Sequence, residues 1–209
     1  IQDVNDYYFP PMIGTFLRYI RALVFALSLL LVPAWYLLTL YGDRLPEQMK
    51  FLLVKEPNSV PLIAQLLVIE FVIDTLRLAS LNTPSALSNS FSVVGALVLG
   101  EFAVSSGWFV SEVVLFMAFA AISNFTQASY ELGYAIKISR TLLLILTAIF
   151  RLWGFIAGLV IIIAVICTTK TVDGYTYLYP IFPFDKEALH GLLVRRTIRS
   201  KQRKAHYND

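Results

Sequence analysis

Leu159-Val160-Ile161-Ile162-Ile163-Ala164-Val165-Ile166 is a run of consecutive apolar residues in which polar and apolar positions do not alternate. A strand of a membrane barrel alternates, apolar outward and polar inward, over about 10 residues, so this run excludes a barrel. It lies in an uncharged window, Leu152–Thr169, and three similar windows occur at Ala22–Gly42, Leu78–Gly100 and Val113–Tyr130. Each approaches or meets the roughly 20 residues that cross a bilayer core as a helix. The fold class read from these windows is all-α, a polytopic helical membrane protein.

Composition agrees. Of the 209 residues, 57% are hydrophobic and 15% charged, against roughly 25% charged in an average soluble domain; mean hydropathy is +0.69. A water-facing surface needs more charge than this, so a soluble single-domain enzyme is excluded. The net charge of +3 belongs to the tail, where Arg195, Arg196, Arg199, Lys201, Arg203 and Lys204 face one acid, Asp209. Such a cluster beside apolar spans reads as a cytoplasmic, positive-inside anchor against anionic lipid, not as a nucleic-acid arm. The single cysteine, Cys167, excludes a disulfide scaffold and a cysteine zinc site.

The expected organisation is a membrane-entry segment at 1–21, a transmembrane domain at 22–185 and a basic cytoplasmic tail at 186–209. The chain opens at Ile1 in a polar, aromatic stretch, which gives the expectation of a soluble N-terminal part upstream. Arg18 and Arg21 hold the entry on the cytoplasmic side. The first span is expected at Ala22–Tyr41, kinked at Pro33, with Trp35, Tyr36 and Tyr41 as its outer aromatic belt. Gly42–Pro61 reads as a polar connector, Leu62–Ser80 as a helix, and Ala86–Ser106 as a helix with a face of small residues. An apolar span to about Asn124 and a polar loop through Arg140 follow. The last span is expected at Thr141–Thr169, with Arg151 in its first third. Both chain ends on one side require an even number of crossings, while five apolar helices are counted. The expectation is therefore about four full crossings plus one re-entrant or partial helix, assigned to Ala86–Ser106.

No metal-site, catalytic-triad or phosphate-loop pattern occurs, and both histidines, His190 and His206, lie in the tail. No enzyme activity, cofactor or bound metal is expected. Two groups of residues stand out instead. Glu70, Asp74 and Arg77 fall at i, i+4 and i+7 on one face of an apolar helix, where charges cannot face lipid; they form either a buried ion-pair network or part of an ion pathway. Ser88, Ser92, Gly95 and Leu99 share the small-residue face. That face is either a tight packing seam or a pore wall constricted at Val94 or Val98. Glu101 is a candidate pore-mouth charge or an interfacial one.

Several strings resemble one family together. Phe16-Leu17-Arg18-Tyr19-Ile20-Arg21 after Asp6-Tyr7-Tyr8, Ser92-Val93-Val94-Gly95-Ala96-Leu97-Val98-Leu99-Gly100, and Tyr177-Leu178-Tyr179-Pro180-Ile181-Phe182-Pro183-Phe184 are similar, in order along the chain, to the membrane region of the spore germination A-subunit family. The chain departs from the family's nutrient-receptor subunits at Glu56-Pro57-Asn58-Ser59-Val60-Pro61, which keeps only their Val-Pro, and at Leu76-Arg77-Leu78-Ala79-Ser80. The departures resemble the family's sporulation-protein branch. The resemblance implies a multi-pass protein of the spore inner membrane whose membrane domains form a homo-oligomer and conduct small ions early in germination, alongside membrane lipid and other germination membrane proteins. The rivals are a non-conducting scaffold that docks those proteins, and an ion-coupled transporter using Glu70 and Asp74, a reading lowered by the absence of internal repeats.

Overall fold

The computed structural model describes residues 10–55, 60–82, 95, 100, 101, 103–126 and 129–169. The remaining pore-face candidates (Ser88, Ser92, Val94, Val98, Leu99) and the basic tail lie outside the described residues. Among those described, every regular element is helical: α1 (Pro11–Leu40), α2 (Leu62–Asn82), α3 (Ser111–Phe125) and α4 (Tyr130–Thr168), with short 3-10 turns at Gly42–Arg44 and Glu47–Leu52 in the connector and a single helical turn at Ala103–Ser105.

Helix α1 starts with proline at its first position, where the missing N–H would have had no intrahelical partner. It continues through Pro33 to Leu40. Trp35 and Tyr36, expected in an outer belt, are only 2% and 6% exposed and belong to the core. Trp35 stacks on Phe116 of α3, ring centroids 4.6 Å apart, and donates its indole N–H to the Leu52 carbonyl at 2.8 Å. A buried Trp needs such an acceptor, and this one pins the connector to the bundle. Leu66 and Ile69 of α2, Val113, Met117 and Ala120 of α3, and Leu144 of α4 complete the core cluster. On α3 these positions recur at i, i+4 and i+7, one face of a helix.

The opposite faces are apolar too. Phe71, Phe119 and Trp153 are 71%, 54% and 75% exposed, more apolar surface than a water-soluble domain tolerates. Two helices, Met12–Leu40 and Glu131–Thr168, are long and apolar enough to cross a membrane.

Two expectations about α4 are overturned. The polar loop expected through Arg140 is helix from Tyr130 onward, capped by Ser129, whose side chain accepts from the Leu132 N–H at 3.2 Å. Nor is the last apolar run one straight helix. Arg151 has φ 53° and ψ −129°, outside helical geometry, and beyond it the chain folds back on itself. A Cβ at Gly154 would meet the backbone carbonyl of Leu146, and one at Gly158 would come within 2.6 Å of the Leu143 side chain. In a straight helix residues eight apart are about 12 Å apart, so these contacts define an antiparallel hairpin. Its arms, 130–150 and 152–168, are about 31 and 25 Å long. Buried Gly154, Gly158 and Ile162 form the seam of the second arm.

The hairpin joint predicts two opposite stability effects. Gly154→Ala forces a methyl into the Leu146 backbone, which cannot swing aside, and should destabilise the hairpin by about 2 kcal/mol or more. Arg151→Gly relieves an L-residue of a left-handed conformation and should stabilise by roughly 1 kcal/mol. Thermal unfolding in detergent checks both.

Candidate functional site

The charges of α2 meet the first arm of α4. Asp74 pairs with Lys137, Glu70 Oε1 accepts from Arg140 Nη2 at 2.5 Å, and the Arg77 guanidinium lies 5.2 Å from the Tyr134 ring centroid. As α2 advances from 70 to 77, its partners fall from 140 to 134, so the two helices run antiparallel. Positions i, i+4, i+7 on one helix therefore face i, i+3, i+6 on the other, one rung per turn.

The rungs differ in depth. The side chains of Arg140 and Glu70 are 5% and 12% exposed, those of Lys137 and Asp74 11% and 31%. Arg140 also donates from Nη1 to the Ser28 carbonyl of α1 at 3.1 Å. One guanidinium thus ties α1, α2 and α4 together, using the fork of donors that lysine lacks. The residues singled out on α2 are brought to this interface, but their partners come from the stretch that sequence reasoning placed in a loop.

The ladder also fixes register. Slipping α2 by one turn in one direction would set Arg77 against Lys137 and leave Glu70 facing Leu144. The opposite slip would leave Arg140 facing Leu66. Each alternative buries an unpaired charge, which costs several kcal/mol.

A second polar bridge was missed in the sequence. Gln65, fully buried, accepts from the Val110 N–H through Oε1 at 3.0 Å and donates from Nε2 to the Val60 carbonyl at 2.8 Å. It thereby occupies a backbone donor at the start of α3 and fastens that start beside the start of α2. The signal was a single Gln in an apolar run, which has no spacing to recognise. The Gly154-x-x-x-Gly158 pair in the second arm, also passed over, did have one.

Of the small-face candidates, only Gly95 is described. It is buried, and a Cβ there would come within 2.8 Å of a Leu76 methyl of α2. Glu101 is exposed. Among the described residues no group of His, Cys, Asp and Glu could hold a metal ion.

Arg140→Ala should be the most damaging ladder variant, costing about 3–5 kcal/mol because Glu70 is left charged and buried. Lys137→Ala should cost less, since Asp74 reaches water. Glu70→Arg combined with Arg140→Glu should recover part of the loss, as thermal unfolding of the single and double variants would show.

The family described as "Bacillus/Clostridium GerA spore germination protein" matches residues 1–207. Similar curated proteins include stage V sporulation protein AF of Bacillus subtilis (strain 168), 37% identical over 93% of this chain and 39% of the relative. Spore germination protein KA of the same organism is 29% identical over 93% of this chain and 36% of the relative. Spore germination protein GerQA of Bacillus cereus is 26% identical over 86% and 36%. The chain spans about two-fifths of the length of these relatives. No solved structure matches. With the family matched from end to end, and charged and apolar positions arranged as a helical bundle, this chain belongs to the GerA spore germination protein family.

Proposed function

We propose that this chain is the membrane region of a subunit of an oligomeric channel in the spore inner membrane, which releases monovalent cations during germination. Membership in a spore germination family supports the setting. The observation that carries the mechanism is the pairing of every charged side chain on α2 with a group on α4. Acids so engaged serve as a brace and not as an ion path. Helix α2 is then a fixed strut leading directly into 83–102, where the small-residue face supplies the pore wall and Val94 or Val98 the constriction. The same pairing speaks against a transporter that would cycle protons or ions through Glu70 and Asp74.

The hairpin revises the membrane path. Val110 sits at the start of α2 through its bond to Gln65, while Asn124 and Gly133 at the far end of α3 adjoin the level of Arg77 and Tyr134. Helices α2 and α3 therefore run parallel. Asn82 and Val110 therefore lie at opposite ends of α2.

A scaffold remains the second reading, and one observation favours it: Gly95, on the proposed pore face, is packed against Leu76.

Ion flux from liposomes containing the full-length protein tests the channel. Flux that changes in Val94→Ala at unchanged oligomer content supports the constriction. Absence of flux from well-assembled wild type moves the reading to the scaffold. For the path, single cysteines at Ser129 and Thr169 in a Cys167→Ser background should label from the same side of sealed vesicles; labelling from opposite sides restores a single last span.

A further inference from the structure

A cavity of about 400 Å³ opens where α1 ends and α2 begins, at the end of the bundle opposite Asn124. That volume lies within the roughly 300–1,000 Å³ range of small-molecule sites. Leu53, Val54 and Leu62 give it apolar walls, and Asp43 and Lys50 give it one carboxylate and one ammonium. These two charges are not spent on each other. Lys50 has a long contact with Glu47 at 3.6 Å, on a side chain 93% exposed, the kind of surface pair that contributes little. Among the described residues Asp43 has no ion pair. The shape is fixed from below by the Trp35 bond to the Leu52 carbonyl, and from the side by Gly42, where a Cβ would lie 3.3 Å from the Leu53 methyls.

We propose that this cavity binds a zwitterionic aminophospholipid headgroup, a phosphate and a primary ammonium carried on one molecule. Lys50 takes the phosphate oxygens and Asp43 accepts hydrogen bonds from the ammonium, while the glycerol and first methylenes lie on Leu53, Val54 and Leu62. A lipid is the source favoured by position. The cavity is at the end of membrane-length helices, and the turn that carries Lys50 also exposes Met49 and Phe51, 37% and 66%. Apolar side chains flanking a lysine at that level belong in the headgroup boundary. The chemistry sets the selectivity: phosphatidylglycerol offers no cation to Asp43, and phosphatidylcholine offers a cation with no N–H to donate. The inference rests on the membrane reading of the chain and not on ion conduction.

Native mass spectrometry of the full-length protein in detergent, titrated with each lipid, tests it. Wild type should retain phosphatidylethanolamine several-fold more than phosphatidylglycerol or phosphatidylcholine. Asp43→Asn should erase that preference, and Lys50→Gln should lower binding of both phosphatidylethanolamine and phosphatidylglycerol. Equal retention of the three lipids by wild type, or an unchanged preference in both charge variants, would overturn the proposal. Displacement by millimolar phosphoethanolamine supports recognition of the headgroup itself. Displacement by a free amino acid but not by phosphoethanolamine overturns the lipid in favour of a soluble zwitterion. Vesicle flotation separates these outcomes from failure of the membrane reading, since flotation fails only if the chain does not enter bilayers.

Discussion

The Arg140 guanidinium holds the bundle at one point from three directions. It satisfies the Glu70 carboxylate on α2, reaches the Ser28 carbonyl on α1, and is itself carried by α4. In an apolar environment an uncompensated charge is far more expensive than a lost apolar contact. Helix positions that satisfy this one group are therefore strongly selected over those that do not. The Asp74–Lys137 rung repeats the constraint a turn away, closer to water.

Apolar packing then fills in what the ladder has aligned. Leu66, Ile69, Val113 and Met117 share one core cluster with Trp35, which stacks on Phe116. Such contacts alone would tolerate sliding, because one branched aliphatic side chain replaces another at little cost. The directional groups supply the uniqueness: Gln65 at the start of α3, Arg140 at mid-bundle, and the close approach of Gly154 and Gly158 to Leu146 and Leu143 in the hairpin. A braced strut of this kind suits the proposed channel. In that proposal α2 stays fixed and the pore-lining role falls to the segment after it.

Much of this was legible in the residues. The uncharged windows at 22–42 and 152–169 fall on helical stretches long and apolar enough to cross a membrane, and Leu62–Ser80 lies within two residues of α2. The face shared by Glu70, Asp74 and Arg77 was visible from spacing. Its partners were not, because Lys137 and Arg140 lie among polar residues that resemble a loop when read singly, and only a neighbouring helix makes their charges useful. The hairpin was hidden for a related reason. Ile149-Phe150-Arg151-Leu152-Trp153 contains no glycine or proline, so every local preference continues the helix.

The sequence by itself determined the helical class and the family, because hydropathy summed over about 20 residues and an ordered set of motifs need no knowledge of contacts. It also determined which helix carries buried charge. Only the tertiary structure decided that those charges are matched across helices, that Trp35 and Tyr36 turn inward, and that the last apolar run reverses at Arg151. These are choices between locally equal alternatives. They are settled by which atoms come within about 3 Å of one another, and that proximity exists only once the helices are packed.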